Sequence, residues 1–481
     1  MSKFIKYLLI TATICVPFAA EAKKCKKKAR PVQHKSKVLK AKKAKPRASS
    51  PKAHASPSRA HPSGFGSHNK VSDLEERVRK LETAAVLVNK KDLAAGKLPK
   101  PFVASGNPKS SVALSGQINR LAAYRTNGKR KRLEHLDATA SSSRFNMTGT
   151  AHINPQFQVQ AVVETELSDA VQSFASDVDI GNAAVGSTFA DTAPTIRNRR
   201  IEGVFKHEKF GTLYVGKGHT SSDGTSEVDF SGTSVVSNAS EGGNNLGGFR
   251  FYNKTRHTAA SQRVASDAFR NMDGLQRANR IRYDSPSMGG LVLGFTHTNT
   301  DQSDQSIKYA ATFGKTKVGV AVAHAYQPFT TATNGTITQS RRRHTYNGSF
   351  GIYNAGFSFG AAGGIEHYKI KTALSSTVQR YLKRRDATFW FVKAGYQAKF
   401  INCGNTAFAI DFGYSRANAL GETDYYISNN EKAKSYALTI VQNFDSAGTE
   451  VYFVARQYTF QQPLSSYKDA IVIVAGTRVK F

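Results

Sequence analysis

Long apolar runs are almost missing from this 481-residue sequence. Past residue 22 no stretch approaches the roughly 20 consecutive apolar residues of a membrane helix, so a mature chain crossing by helices is excluded. Cysteine is scarce. Of the three, Cys15, Cys25 and Cys403, none sits in a C-x-x-C pair, which rules out a zinc site or a disulfide framework and leaves open one bridge between Cys25 and Cys403. Acidic residues are outnumbered, with 34 Asp and Glu against 68 Lys and Arg, a formal net charge of +34. Catalytic signatures are also lacking: there is no G-x-S-x-G, H-E-x-x-H or G-x-x-x-x-G-K-[ST]. The expectation is therefore no enzyme, no catalytic residues, no cofactor and no metal. His34, His54, His61 and His68 are scattered through a polar tail and read as filler.

What is present begins with an export signal. Lys3 and Lys6 precede an apolar run from Tyr7 to Phe18, and Ala20-Glu21-Ala22 offers small residues for cleavage after Ala22. Neither Cys15 nor Cys25 has the context for lipoprotein anchoring. Residues 23–70 carry sixteen Lys and Arg and no Asp or Glu, and cannot bury enough apolar surface to offset ordering, which predicts a disordered basic tail. In an exported protein, electrostatic contact with anionic peptidoglycan or lipopolysaccharide explains such a tail better than nucleic acid does. A simple solvated linker is the plain alternative.

Residues 71–90 predict a short helix. Ser72-Asp73-Leu74-Glu75 makes a capping box, and Val71, Leu74, Val78, Leu81, Ala85 and Val88 occupy a and d positions of a heptad. Fewer than three heptads are marginal alone, so a trimeric coiled coil needs a body that already holds three chains together. Residues 91–110, with Pro99, Pro101 and Pro108, read as an extended linker.

From residue 111 to 481 apolar residues alternate with polar ones. Strands are expected near 112–124, 142–153, 157–167, 195–206, 211–219, 276–284, 290–298, 305–313, 317–326, 341–353, 356–368, 384–400, 406–416, 430–443, 449–460 and 467–481. Short connections such as Asn154-Pro155, Gly314-Lys315-Thr316 and Asn354-Ala355 take turns with long polar ones. That rhythm fits an all-β membrane protein, a 16-stranded antiparallel transmembrane β-barrel with tight periplasmic turns and long external loops. Sixteen strands leave an aqueous channel rather than a filled interior. At the end, Ile471, Ile473, Ala475, Thr477, Val479 and Phe481 share one face and Arg478 and Lys480 the other. This places the terminal aromatic Phe481 at the membrane interface.

The same parity proposes lumen residues. Ile281 and Tyr283 outward turn Arg280 and Arg282 inward, and Phe145 and Met147 outward turn Arg144 inward. In the fourth strand, Ile201 and Phe205 outward would turn Arg197 and Arg199 outward with them, so Arg200 and Glu202 are expected inside. The longest connection, about 220–275, carries Asp223, Glu227 and Asp229 near its start. An acidic loop against a basic wall makes a narrow lumen with a transverse field. Candidate constriction residues are therefore Asp223, Glu227, Asp229, Arg144, Arg200, Glu202, Arg280 and Arg282.

Val112-Ala113-Leu114-Ser115-Gly116-Gln117-Ile118-Asn119, Ser143-Arg144-Phe145, Gly211-Thr212-Leu213-Tyr214-Val215-Gly216, Ser222-Asp223-Gly224-Thr225-Ser226-Glu227-Val228-Asp229, Arg280-Ile281-Arg282-Tyr283-Asp284-Ser285-Pro286 and terminal Phe481 together resemble alphaproteobacterial general porins. The resemblance spans about 111–481. It implies a homotrimer of sixteen-stranded barrels in a Gram-negative outer membrane, with the tail in the periplasm and the third loop folded inward as the constriction. Small hydrophilic solutes and ions would diffuse through passively. The basic tail departs from that pattern. Two rivals remain, a substrate-selective channel and a surface adhesin or peptidoglycan tether anchored by its barrel. The basic excess outside the tail favours anions.

Overall fold

The computed structural model describes residues 102–104, 110–168, 195–240, 249–255, 265–334, 337–373, 379–383, 386–416, 431–463 and 465–481. The chain divides into two units, Met1–Pro99 and Lys100–Phe481, and all described residues belong to the second. The expected signal, basic tail, coiled coil and Cys25 lie outside the described residues.

Sixteen strands form the wall: β2 (Ser110–Thr126), β4 (Arg144–Asn154), β5 (Phe157–Ser168), β6 (Thr195–His207), β7 (Gly211–His219), β8 (Arg277–Asp284), β9 (Leu291–Thr298), β10 (Ser303–Phe313), β11 (Thr316–Asn334), β12 (Ile337–Asn354), β13 (Phe357–Ala373), β15 (Ala387–Ile401), β16 (Gly404–Arg416), β17 (Lys432–Phe444), β18 (Thr449–Gln461) and β19 (Ala470–Lys480). All neighbours are antiparallel, and β19 pairs with β2 from Ile471↔Thr126 to Lys480↔Gln117, closing the barrel without an edge. Phe481 extends this seam by exchanging both backbone hydrogen bonds with Gly116, at 2.9 and 3.0 Å. Each expected strand has a counterpart, because the alternation is strict wherever one face meets lipid and the other meets water.

Three short strands decorate the wall. β1 (Phe102–Ala104) pairs with the start of β2, where β2 runs on beyond the end of β19, so part of the expected linker is recruited into the sheet. β3 (Lys131–Asp137) pairs with the far half of β2, beyond its contacts with β4. β14 (Gln379–Lys383) pairs with the end of β13.

Burial follows the pleat. Ile281, Phe295, Ile307, Phe350, Phe359 and Ile410 are exposed on the outside, while the alternate residues are covered. A soluble sheet would bury the apolar set; here lipid covers it. Arg144, Arg280 and Arg282 lie on the opposite face from Phe145, Ile281 and Tyr283.

Candidate functional site: the lumen

The long connection between β7 and β8 runs along the inner wall in two limbs. The outgoing limb is fixed first at β10, where Ser221 and Ser222 donate their hydroxyls to Asp304 at 2.7 and 2.5 Å. It then crosses β12, where the Ser349 hydroxyl donates to the Thr225 carbonyl at 2.7 Å and accepts from the Val228 amide at 3.0 Å. At β15, Lys393 donates to Asp229 at 2.8 Å and to the Ser237 carbonyl at 2.6 Å. At β16 the Ser237 hydroxyl donates to Asp411, which is ion-paired with Arg456 of β18 at 2.7 Å. The returning limb contains a single-turn helix, α1 (Ala265–Ala268), and comes back past β16, where Ser415 donates to the Ala268 carbonyl. Arg270 meets Glu366 of β13 at 2.8 Å, and Asn347 of β12 donates to the Met272 carbonyl at 2.5 Å.

Close approach requires small wall residues. A Cβ on Gly319 or Gly351 would fall 2.9 or 3.0 Å from Val228 Cγ1 and 3.2 or 3.1 Å from the Phe230 ring. Farther along, Val235, Val236, Phe249, Phe251 and Phe269 join Tyr458, Phe460, Val472 and Val474 in one apolar cluster. This explains why β18 and β19 are apolar on both faces in part of their length: lipid covers one, the loop the other.

The two limbs cover the wall from β10 to β18, and β4 to β8 carry the uncovered arginines. Arg144 and Arg199 both reach Glu164, at 3.4 and 2.5 Å, and Arg199 also reaches Glu166 at 2.8 Å. Arg200 pairs with Glu202 at 2.5 Å. Arg277 lies within electrostatic reach of Arg199, Asp223, Glu164 and Glu166, so the loop edge and this wall share one field.

Strict parity turned Arg199 outward; the structure turns it inward. A register shift between Glu164 and Thr165 leaves Arg199 unpaired between Arg200↔Glu164 and Asn198↔Thr165. This β-bulge resets the alternation, so Arg197 pairs with Glu166 on the lumen face while Ile196 and Ile201 both stay outside. Only a break in parity, with Ile196 and Ile201 apolar five apart, hinted at it.

The other candidates separate into two groups. Arg280 is 1 % exposed and closes on Glu202, donating also to the Gly216 and His219 carbonyls. Arg282 pairs with Asp284 at 2.7 Å and donates to the carbonyls of His219 and Thr220 at 3.2 and 3.0 Å. These two arginines pin the root of the loop. Asp229 is likewise held against the wall by Lys393. Burial alone would raise its carboxyl, but that ammonium and Ser231 keep it below the ordinary range. Asp223, Glu227, Arg144 and Arg200 stay beside the lumen, while Glu202 is buried between Arg200 and Arg280.

Carboxyls on the loop are not equivalent. Burial tends to raise Asp223, but its contact with His219 at 2.5 Å and the charges around it hold it below the usual range. Asp273 accepts the Gly224 amide at 2.9 Å and a hydroxyl from Ser226 at 3.0 Å. Enclosure, then the charges of Glu227 and Asp223, push Asp273 well above that range. Glu227 is accessible to lumen water yet enclosed by the barrel, and this enclosure followed by the Asp223 charge raises it.

The family pattern described as Gram-negative porin matches residues 93–462, which covers the inward loop and every wall strand but the closing β19. The chain belongs to the Gram-negative porin family. It is an outer-membrane channel protein of the passive-diffusion kind. No curated protein matches its sequence. Among solved structures this porin is similar to an anion-selective porin from Comamonas acidovorans, with 17% identity and a TM-score of 0.48 over 77% of this chain and 100% of that one. It is also similar to the outer-membrane channel DcaP of Acinetobacter baumannii, with 11% identity and a TM-score of 0.46 over 79% and 99%. OmpT, an outer membrane protein of Vibrio cholerae, gives 14% and 0.45 over 79% and 99%. In the porin, Asp304, Asn347, Ser349, Lys393 and Asp411 hold the loop. None of them was among the sequence-based candidates, since each is an ordinary inward polar residue until its loop partner is known.

Proposed function

We propose that the protein is a diffusion porin of the alphaproteobacterial general type, narrowed by its third long connection, whose acidic edge faces an arginine wall. One observation carries this reading: residues 220–240 and 265–276 are tied by hydrogen bonds along the inner wall, and Asp223 and Glu227 lie within electrostatic reach of Arg277, which in turn interacts with Arg199 and Arg144. The constriction is then lined by Asp223 and Glu227 on one side and by Arg144, Arg199 and Arg200 on the other, with Glu202 buried behind Arg200 where it holds that guanidinium. Arg280, Arg282 and Asp229 act by holding the loop. A small hydrophilic solute crosses by aligning its dipole in the field, whereas an apolar one must shed water it cannot replace.

A homotrimer fits the outward face. Around the seam this face carries Gly116, Ala122, Gly149, Ala161 and Ala475, together with an Arg120–Asp137 ion pair at 2.6 Å. A charged side chain at the lipid midplane costs about 2–4 kcal/mol, so this face is better covered by another subunit. The basic tail would then reach peptidoglycan from the periplasmic side, with residues 71–90 as a coiled-coil spacer on the trimer axis. Lipopolysaccharide and other outer-membrane lipids would cover the aromatic remainder.

Liposome swelling tests the reading. With the purified full chain reconstituted, pentoses, hexoses and disaccharides should enter at rates that fall steeply with size. No swelling with any sugar, from a barrel that resists SDS when unheated, would favour an adhesin or wall tether that uses the barrel as an anchor.

A further inference from the structure

On the outer face of the barrel, imidazoles from two neighbouring strands meet. Val322 of β11 and Tyr346 and Phe350 of β12 are exposed to the outside, so His324 and His344, of the same parity, face that way too. His324 Nε2 lies 3.2 Å from His344 Nδ1, with the ring planes 15° apart. His324 Nδ1 lies 3.0 Å from Gln305 Oε1 of β10, and an amide oxygen can only accept. The His324 proton is therefore on Nδ1, and the lone pair of its Nε2 faces His344. Tyr346 stacks on the His324 ring at 4.7 Å and Tyr326 rests against the His344 ring at 5.0 Å, which fixes both rings. His367, opposite His344 in the register, pairs with Asp386 at 2.8 Å. His344 stands ten residues from the end of β12 at Asn354. At about 3.4 Å per residue and a tilt near 40°, that is about 26 Å, level with the top of an apolar band about 25 Å tall, where water reaches it.

We propose that His324 and His344 form a two-imidazole site for a transition-metal dication such as Zn2+ or Cu2+, at the outer rim of β11 and β12. Tetrahedral zinc with bonds of about 2.0–2.1 Å sets neighbouring ligand nitrogens about 3.3–3.4 Å apart, so the pair needs to open by only about 0.1–0.2 Å. Gln305 holds the His324 ring through the nitrogen that does not ligate, as the partners of metal-bound histidines generally do. On binding, the His344 proton moves from Nδ1 to Nε2 and the ring stays neutral. Among the described residues no three His, Cys, Asp or Glu side chains converge, so water or an anion supplies the remaining ligands. Arg342 and Lys369 lie within electrostatic reach of His344, which favours an anion among those ligands. Imidazole nitrogens suit zinc and copper, whereas Ca2+ and Mg2+ take oxygen ligands. The site is separate from the lumen and adds metal capture at the outer rim to solute passage.

Calorimetric titration of the purified full chain with ZnCl2 in detergent tests the site, in a background that carries His34→Ala, His54→Ala, His61→Ala and His68→Ala to remove the histidines of the tail. This background should bind a zinc ion per chain that His324→Phe and His344→Phe each abolish. Phenylalanine keeps a ring against Tyr346 or Tyr326, so both variants should still show the heat-modifiable migration of a folded barrel. Gln305→Leu should weaken zinc about 10–100-fold, the usual cost of losing such a partner. Excess MgCl2 should not compete. Zinc uptake that either phenylalanine variant retains in full, its displacement by MgCl2, or no uptake in the background overturns the site.

Discussion

Arg199 Nε lies 2.5 Å from Glu164 Oε1 because β6 carries one residue more than β5 at that level. Strict alternation would have turned this guanidinium to the lipid. The bulge gives the lumen two consecutive arginines, Arg199 and Arg200, in place of one.

That geometry sets the first prediction. Arg199→Gln removes one charge from beside Arg144 and leaves Glu166 without its partner, so the chloride-to-potassium permeability ratio should fall. Two charges about 8 Å apart at an effective dielectric near 20 interact by about 2 kcal/mol before screening, and pore water and salt reduce this to a change of a few-fold. Reversal potentials under a KCl gradient measure it.

The pH response has a defined sign. Glu227 and Asp273 have raised carboxyls, so on acidification they take up protons before ordinary carboxylates, above about pH 4. The loop edge then loses negative charge while the arginines keep theirs, and anion preference should rise on acidification before ordinary carboxylates titrate. Glu227→Gln should flatten this rise. Asp223, held low, should contribute only at more acidic pH.

Close packing between loop and wall sets a third. Gly351→Leu puts a side chain where Val228 and Phe230 lie, so the loop must shift. The barrel itself should form, because position 351 remains an ordinary strand residue, but single-channel conductance and open-channel noise should change. Lys393→Ala should act in the same direction by leaving Asp229 without its ion-pair partner; breaking a buried pair from one side costs about 3–5 kcal/mol. Unaltered conductance in both variants would mean that these contacts do not position the loop.

Sequence alone showed the wall and its rhythm of turns clearly, since lipid on one side and water on the other impose a period of two on every strand. The lumen was legible where that period held. Phe145 and Met147 placed Arg144, and Ile281 and Tyr283 placed Arg280 and Arg282. It failed at Arg199, where a bulge breaks the count, and although it placed Val472 and Val474 inward it gave no sign of the loop that covers them. Nor can periodicity distinguish an arginine that faces water from one that ties down a backbone: Arg200 and Arg280 share a face, but Arg280 is spent on Glu202 and the loop root. Such roles depend on partners far away in sequence.

Subunit contacts give a fourth prediction. Arg120→Glu replaces the cation beside Asp137 with a second carboxylate on the same outward face, and should convert SDS-resistant trimers to monomers while the barrel still folds. If this face meets lipid instead, the oligomer should be untouched.

The most direct test of the account is the reversal potential of single channels of the full chain under a KCl gradient, compared with an Arg144→Gln/Arg199→Gln/Arg200→Gln variant. An arginine wall facing the loop predicts stable steps, an anion-directed potential in the unmodified protein and a shift toward cations in the variant. A cation-directed potential that the triple substitution leaves unchanged would contradict it.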